Sequence, residues 1–137
     1  MTTWPRQPDN RTCGPSCVVV AEHLPDGLPD PWPGFADEVL AMHRHLNRIW
    51  PLALGTTPWA VARELGGRVR PYRNDDVLAA LPHPVPIYLG NRLSPRHVVL
   101  ALSAEAGEPI VYNPAPGALV PLSSSSWKTR WFAVLPG

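Results

Sequence analysis

Cysteine is scarce in this chain of 137 residues, and its two copies, Cys13 and Cys17, lie too close together to form a structural bridge. Four residues apart within one expected helix, they close almost no loop and their Cβ vectors do not converge. A surplus of charge of one sign is missing too. The net charge is +1 and the arginines are scattered, which argues against nucleic acid or an anionic membrane as a partner. No apolar run approaches the ~20 residues of a membrane span, and positions 1–6 lack the basic-then-apolar pattern of a signal peptide. Free thiols fit a reducing compartment, so the chain as it stands is expected in the cytoplasm, as a monomer without a cofactor.

What is present favours a packed core. Hydrophobic residues make up 45% and six are tryptophan, far above what disorder tolerates, so the 19 prolines and 10 glycines read as punctuation between elements. The length suits one domain spanning 1–137. A first helix is expected over 13–24, with Pro15 in the first turn where its missing N–H costs nothing. Residues 28–34 read as a proline-rich loop, and 35–50 carry Val39, Met42, Leu46 and Ile49 at helical spacing. Thr57-Pro58 is an N-cap followed by proline at the first helical position, and Gly66-Gly67 stops that helix after Leu65.

The second half changes period. A strand near 68–72 and a helical turn near 75–81 precede short β-branched or apolar runs at 85–89, 97–103, 110–112, 119–122 and 131–135, separated by Gly, Pro, Asn and Ser. Residues 123–126 read as a turn with a helix cap. Helices first and strands second predict an α+β domain whose helices pack on one face of an antiparallel sheet.

One constellation carries chemistry. Cys13 stands where a loop becomes an apolar helix, and the unpaired N–H groups of a helix start favour a thiolate and lower its pKa. A cysteine nucleophile also needs a histidine within reach, a group to orient the imidazole, and donors for the oxyanion. His97 opens the run His97-Val98-Val99-Leu100, and Asn113 ends Val111-Tyr112-Asn113. If the chain reverses near Gly107, the two meet at one edge of the sheet. Gln7, six residues before Cys13, supplies a side-chain amide which, with the Cys13 backbone N–H, suits the oxyanion.

These residues resemble a family. Gln7 through Cys13-Gly14-Pro15, then His97-Val98-Val99, then Tyr112-Asn113-Pro114 look like the papain-like cysteine peptidases, and most of all like the compact bacterial branch of double-glycine leader peptidases that process bacteriocins. The resemblance implies a papain-like fold with a cysteine-bearing helix on a histidine-bearing sheet, and a Cys13, His97, Asn113 triad with Gln7 at the oxyanion. Bacteriocin-processing peptidases usually carry Asp where this chain has Asn113, and papain has Asn. The block from Trp50 to Trp59 also looks like small actinobacterial domains, some within secreted effectors, so a domain of an exported effector is the second expectation for location.

The bland readings stand beside these. Cys17, one turn further and followed by three valines, is a core thiol. His43 and His45 flank Arg44 on a helix and face different ways, so they make no metal pair; His83 lies between prolines, and His23 ends the first helix. Trp50, Trp59 and Trp131 fall on apolar patterns and read as core, whereas Trp4 and Trp32 lie near loops bordering a groove. Asn91 and Arg96, in the loop before His97, either line the cleft or are solvated. The leading expectation is a hydrolase cleaving a peptide or amide bond through an acyl-enzyme, near a small residue or flexible segment of a peptide or protein substrate. Deamidation or transamidation of a protein glutamine by the same thiol, and a non-catalytic peptide-binding module, are the alternatives.

Overall fold

The valine run after Cys13 forms the most buried element of the protein. In the structure, a computed structural model describing residues 4–47 and 56–137, helix α1 (Cys13–His23) buries everything from Gly14 to Val20. Such a helix must be covered on all sides. Helices α2 (Phe35–Leu46) and α3 (Pro58–Leu65) flank it, the latter capped at its start by Thr57 Oγ1, which accepts from the Ala60 N–H at 3.2 Å. The expected second helix ends earlier than position 50, at Leu46 with Asn47 as its cap, and 48–50 lie outside the described residues.

Six strands follow, interrupted by helix α4 (Asn74–Ala80): β1 (Gly67–Pro71), β2 (Val85–Gly90), β3 (Pro95–Glu105), β4 (Glu108–Asn113), β5 (Ala118–Pro121) and β6 (Thr129–Pro136). They form one antiparallel sheet in the order β1-β6-β2-β3-β4-β5. A 3-10 turn, Leu122–Ser124, sits where the serine run was read as a turn. The expected reversal lies at Ala106-Gly107, both at positive φ, between the paired Glu105 and Glu108.

The helices do not all lie on one face, which corrects the sequence expectation. Val98, Leu100, Tyr112, Tyr88 and Val134 meet α1, α2 and α3, whereas Val99, Ala101, Val111, Ile87 and Ala133 meet Val77 of α4 and Leu122. The strands β2 and β3 are therefore buried on both sides. Their continuous apolar sequence follows from that, since neither face can be polar. Each fully buried valine among them contributes roughly 1.5–2 kcal/mol.

Three bulges break the sheet's alternation. Arg96 is an extra residue on β3 between Pro95 and His97, which pair with Gly90 and Leu89; Trp131 is extra on β6 between Arg130 and Phe132; and Leu102 is extra on β3 opposite β4. The first two flank the same end of β2, the end at which His97 stands.

Candidate active site

Cys13 is the first residue of α1, and that helix carries no side-chain cap. The Thr12 hydroxyl is turned instead toward Asp9, accepting from its N–H at 3.3 Å and donating to its carbonyl at 3.2 Å. The opening amides of the helix are thereby left to the thiol, whose ionised form is favoured by the nearby backbone of Val98 on β3 and of the helix start at Gly14. Val98 is the residue after His97. Cys13 is half-buried, and a Cβ on Gly14 would lie 3.2 Å from the Thr56 Cβ, so Thr56, just before α3, lies close against the helix start. Asn47 Nδ2 donates to Thr56 Oγ1 at 3.0 Å, and Tyr88 Oη donates to the Thr56 carbonyl at 3.1 Å, fixing Thr56 in place.

His97 and Asn113 are brought together. The His97 Nε2 lies 2.7 Å from Asn113 Oδ1, and the same oxygen accepts the Ala115 N–H at 3.2 Å. A backbone N–H only donates, so this position is held by oxygen rather than the amide nitrogen. It follows that Nε2 carries the imidazole proton and Nδ1 is left as the acceptor. Among the described residues no hydrogen bond joins the thiol directly to His97; the two are neighbours through Val98.

Gln7 is tied to the same corner. Its N–H donates to the Pro114 carbonyl at 2.8 Å, Arg6 Nε donates to the Ala115 carbonyl at 3.2 Å, and Tyr112 Oη donates to the Pro5 carbonyl at 2.6 Å. The N-terminal strap thus lies along the loop that follows Asn113. Gly117, at φ 71°, permits this: a Cβ there would stand 3.0 Å from the Trp4 carbonyl and the Arg6 amide. The Gln7 side-chain oxygen is buried without a hydrogen-bond partner.

The electrostatics depart from the sequence expectation of a lowered thiol pKa. Burial pushes Cys13 above its ordinary value of 9.0, and the three backbone hydrogen bonds offset it only in part, with Asp9 opposing them. Burial likewise holds His97 below 6.5, against the hydrogen bond to Asn113. Desolvation outweighs the partial charge of the helix start, so at both groups burial favours the uncharged form.

The other singled-out residues have separate occupations. Cys17 is fully buried, its thiol 3.6 Å from the Val98 carbonyl. His43 faces Asn47 at 3.2 Å and His45 faces Glu64 at 3.1 Å, while His23 Nε2 lies 2.8 Å from Glu38 Oε1. Trp32 Nε1 donates to Glu38 Oε2 at 2.7 Å, and Trp4 stacks on Tyr112. Trp59 is no core residue: it is 61% exposed, on the side of α3 away from the buried Pro58, Val61 and Ala62. Trp131 is half-buried, and Trp50 lies outside the described residues. Among the described residues no group of three or more His, Cys, Asp and Glu gathers to hold a metal ion, and no helix is long and apolar enough to cross a membrane. A cavity of about 650 Å³ opens between Trp4, Ala21, Leu24, Leu102 and Leu119. Ala21 is ~12 Å along the helix axis from Cys13, so this hollow is separate from the thiol.

Helices on an antiparallel sheet, with the cysteine at a helix start and the histidine on a central strand, constitute the α+β architecture of papain-like peptidase domains. Among solved structures the chain is similar to the peptidase domain of Streptococcus ComA, a bi-functional ABC transporter involved in quorum sensing, with a TM-score of 0.61, 19% identity and full coverage of both chains. No family model matches the chain, and no curated protein does.

Proposed function

We propose that this chain is a cysteine peptidase, with Cys13 as nucleophile, His97 as general base and acid, Asn113 as the group that orients the imidazole, and Gln7 with the Cys13 N–H as oxyanion donors. The observation that carries the reading is the 2.7 Å contact between His97 Nε2 and Asn113 Oδ1 beside the residue whose backbone meets the Cys13 thiol. Likeness in fold to a peptidase domain supports it.

The chemistry follows from the proton positions. His97 Nδ1, left unprotonated by the bond at Nε2, takes the proton from Sγ as sulfur attacks the substrate carbonyl. Negative charge then develops on the carbonyl oxygen, where the amides of Gln7 and Cys13 stabilise it. Collapse of that intermediate expels the amine, which takes the proton from His97, and leaves a thioester on Cys13. Water, deprotonated by the same imidazole, attacks the thioester, releases the acid and restores the thiol. Asn113 is neutral and holds the imidazolium less tightly than a carboxylate does, in keeping with the downward shift of His97.

Mass-spectrometric mapping of a thiol-directed acylating probe tests the assignment. Label is expected on Cys13, abolished in Cys13→Ala and retained in Cys17→Ser; equal labelling of both variants overturns it. Intact mass of candidate substrates then separates cleavage, which divides the chain, from deamidation, which adds about one dalton.

A further inference from the structure

The two bulges at the end of β2 reposition side chains beside the proposed catalytic centre. On a regular strand Trp131 and Phe132 face opposite ways. Here Trp131 is the extra residue between Arg130 and Phe132, and both aromatics pack against the core that contains α1. Trp131 lies 6.2 Å from Phe132, and Phe132 lies 6.1 Å from Trp59 on α3. The three rings form a row. One end begins three residues after Thr56, which presses on Gly14 next to Cys13. The other end is tied to the loop leading to His97, because Trp131 Nε1 donates to the Asn91 carbonyl at 2.9 Å. Asn91 in turn closes that loop, its Oδ1 accepting from the Leu93 N–H at 2.8 Å and the Ser94 N–H at 3.0 Å.

That row is open to solvent at Trp59, while Phe132 and Trp131 are half-buried against the core. Trp59 is 61% exposed and Leu93, at the tip of the loop, is 87% exposed. Exposed apolar groups on segments that adjoin the start of α1 through Thr56 and the loop before His97 through Asn91 mark a place for apolar substrate. The loop and strands that carry the row are poor in acid, although Asp9 acts on the thiol and Glu64 shares α3 with Trp59. No Asp or Glu occurs over 77–104 or 109–137, and Arg92 and Arg96, both exposed, enter no ion pair among the described residues. Arg96 is itself the extra residue of the second bulge, directly before His97.

We propose that Trp59, Phe132, Trp131 and Leu93, with Arg92 and Arg96, form the recognition surface for an extended substrate segment that carries an aromatic side chain next to a carboxylate. The inference rests on the peptidase reading and names its substrate class. The aromatic side chain stacks along the row while the arginines meet the acid, leaving the backbone beside it to cross Cys13.

Binding to the Cys13→Ala protein tests the surface apart from the chemistry. The probes are an acetylated Gly-Gly-Phe-Asp-Gly-Gly amide and its analogues with Phe replaced by Ser and with Asp replaced by Lys, titrated calorimetrically. The parent peptide is expected to bind roughly tenfold tighter than either analogue. Trp59→Ala and Arg96→Ala, both at exposed positions, are each expected to weaken it about fivefold without moving the thermal midpoint. Equal binding of the three peptides, or an unchanged affinity in Trp59→Ala, overturns the recognition surface even if Cys13 is labelled by the acylating probe. Selective binding with no labelling of Cys13 sustains the surface and overturns the peptidase.

Discussion

Asn113 Oδ1 accepts two hydrogen bonds at once, from His97 Nε2 at 2.7 Å and from the Ala115 N–H at 3.2 Å. The second bond determines the first: by holding the oxygen toward the imidazole it sets the tautomer, and with it which nitrogen is free for the thiol proton. Asn113→Ala is expected to lower kcat/KM by about a hundredfold, with KM little changed, because the imidazole loses both orientation and tautomer. Asn113→Asp keeps the acceptor and adds charge, so it should retain most activity while moving the acidic limb of the rate profile to higher pH. Steady-state rates across pH check both.

Gln7→Ala separates the oxyanion from the thiol. Loss of that amide is expected to lower kcat about a hundredfold, while alkylation of Cys13 by iodoacetamide proceeds unchanged, since alkylation forms no oxyanion. An equal fall in both rates would place Gln7 in a structural role instead.

Folding stability is expected to plateau between about pH 6.5 and 9. His97 sits below its ordinary 6.5 when folded, so the unfolded chain binds the proton more readily. The stability it contributes is present above 6.5 and lost as pH falls through the folded value. Cys13 and Cys17 are raised above 9.0, so their contribution is complete below 9 and declines as pH rises and the unfolded chain ionises first. Thermal midpoints measured across pH read both edges, and Cys17→Ala should soften the alkaline one.

Tyr112→Phe removes the hydrogen bond to the Pro5 carbonyl and keeps the ring against Trp4. A loss of about 1 kcal/mol is expected, together with faster amide exchange at Gln7, because the strap is anchored by few other bonds. Urea unfolding and hydrogen exchange measure the two effects.

Thr57→Ala removes the acceptor for the Ala60 N–H. The cap is worth about 1 kcal/mol, or ~4 °C in thermal midpoint. Because Thr57 adjoins Thr56, which lies against Gly14, the acylation rate of Cys13 should fall severalfold as well.

Much of the architecture was written locally. Thr57-Pro58 and Gly66 bounded α3, the valine run specified α1, and the β-branched segments fell close to their predicted strands, since caps, turns and periodicity act over a few residues. That His97 and Asn113 lie on adjacent strands was also legible from the reversal at Ala106-Gly107, but the bulge at Leu102, which shifts the register by one residue and so brings the two to one face, was not. Trp59 and Trp131 were not. Both lie on apolar patterns, and burial depends on what other segments cover them.

The amino-acid order by itself determined which groups are available: one thiol at a helix start, a histidine and an asparagine at the ends of adjacent strands, a glutamine upstream. Only the tertiary structure decided their state. Desolvation of Cys13 and His97 depends on atoms far along the chain, and it opposes the thiolate that the helix start alone favours. The division of helices between both faces of the sheet, and the bulges that turn Trp131 and set Arg96 beside His97, likewise arise from packing between distant segments, which no short stretch of sequence encodes.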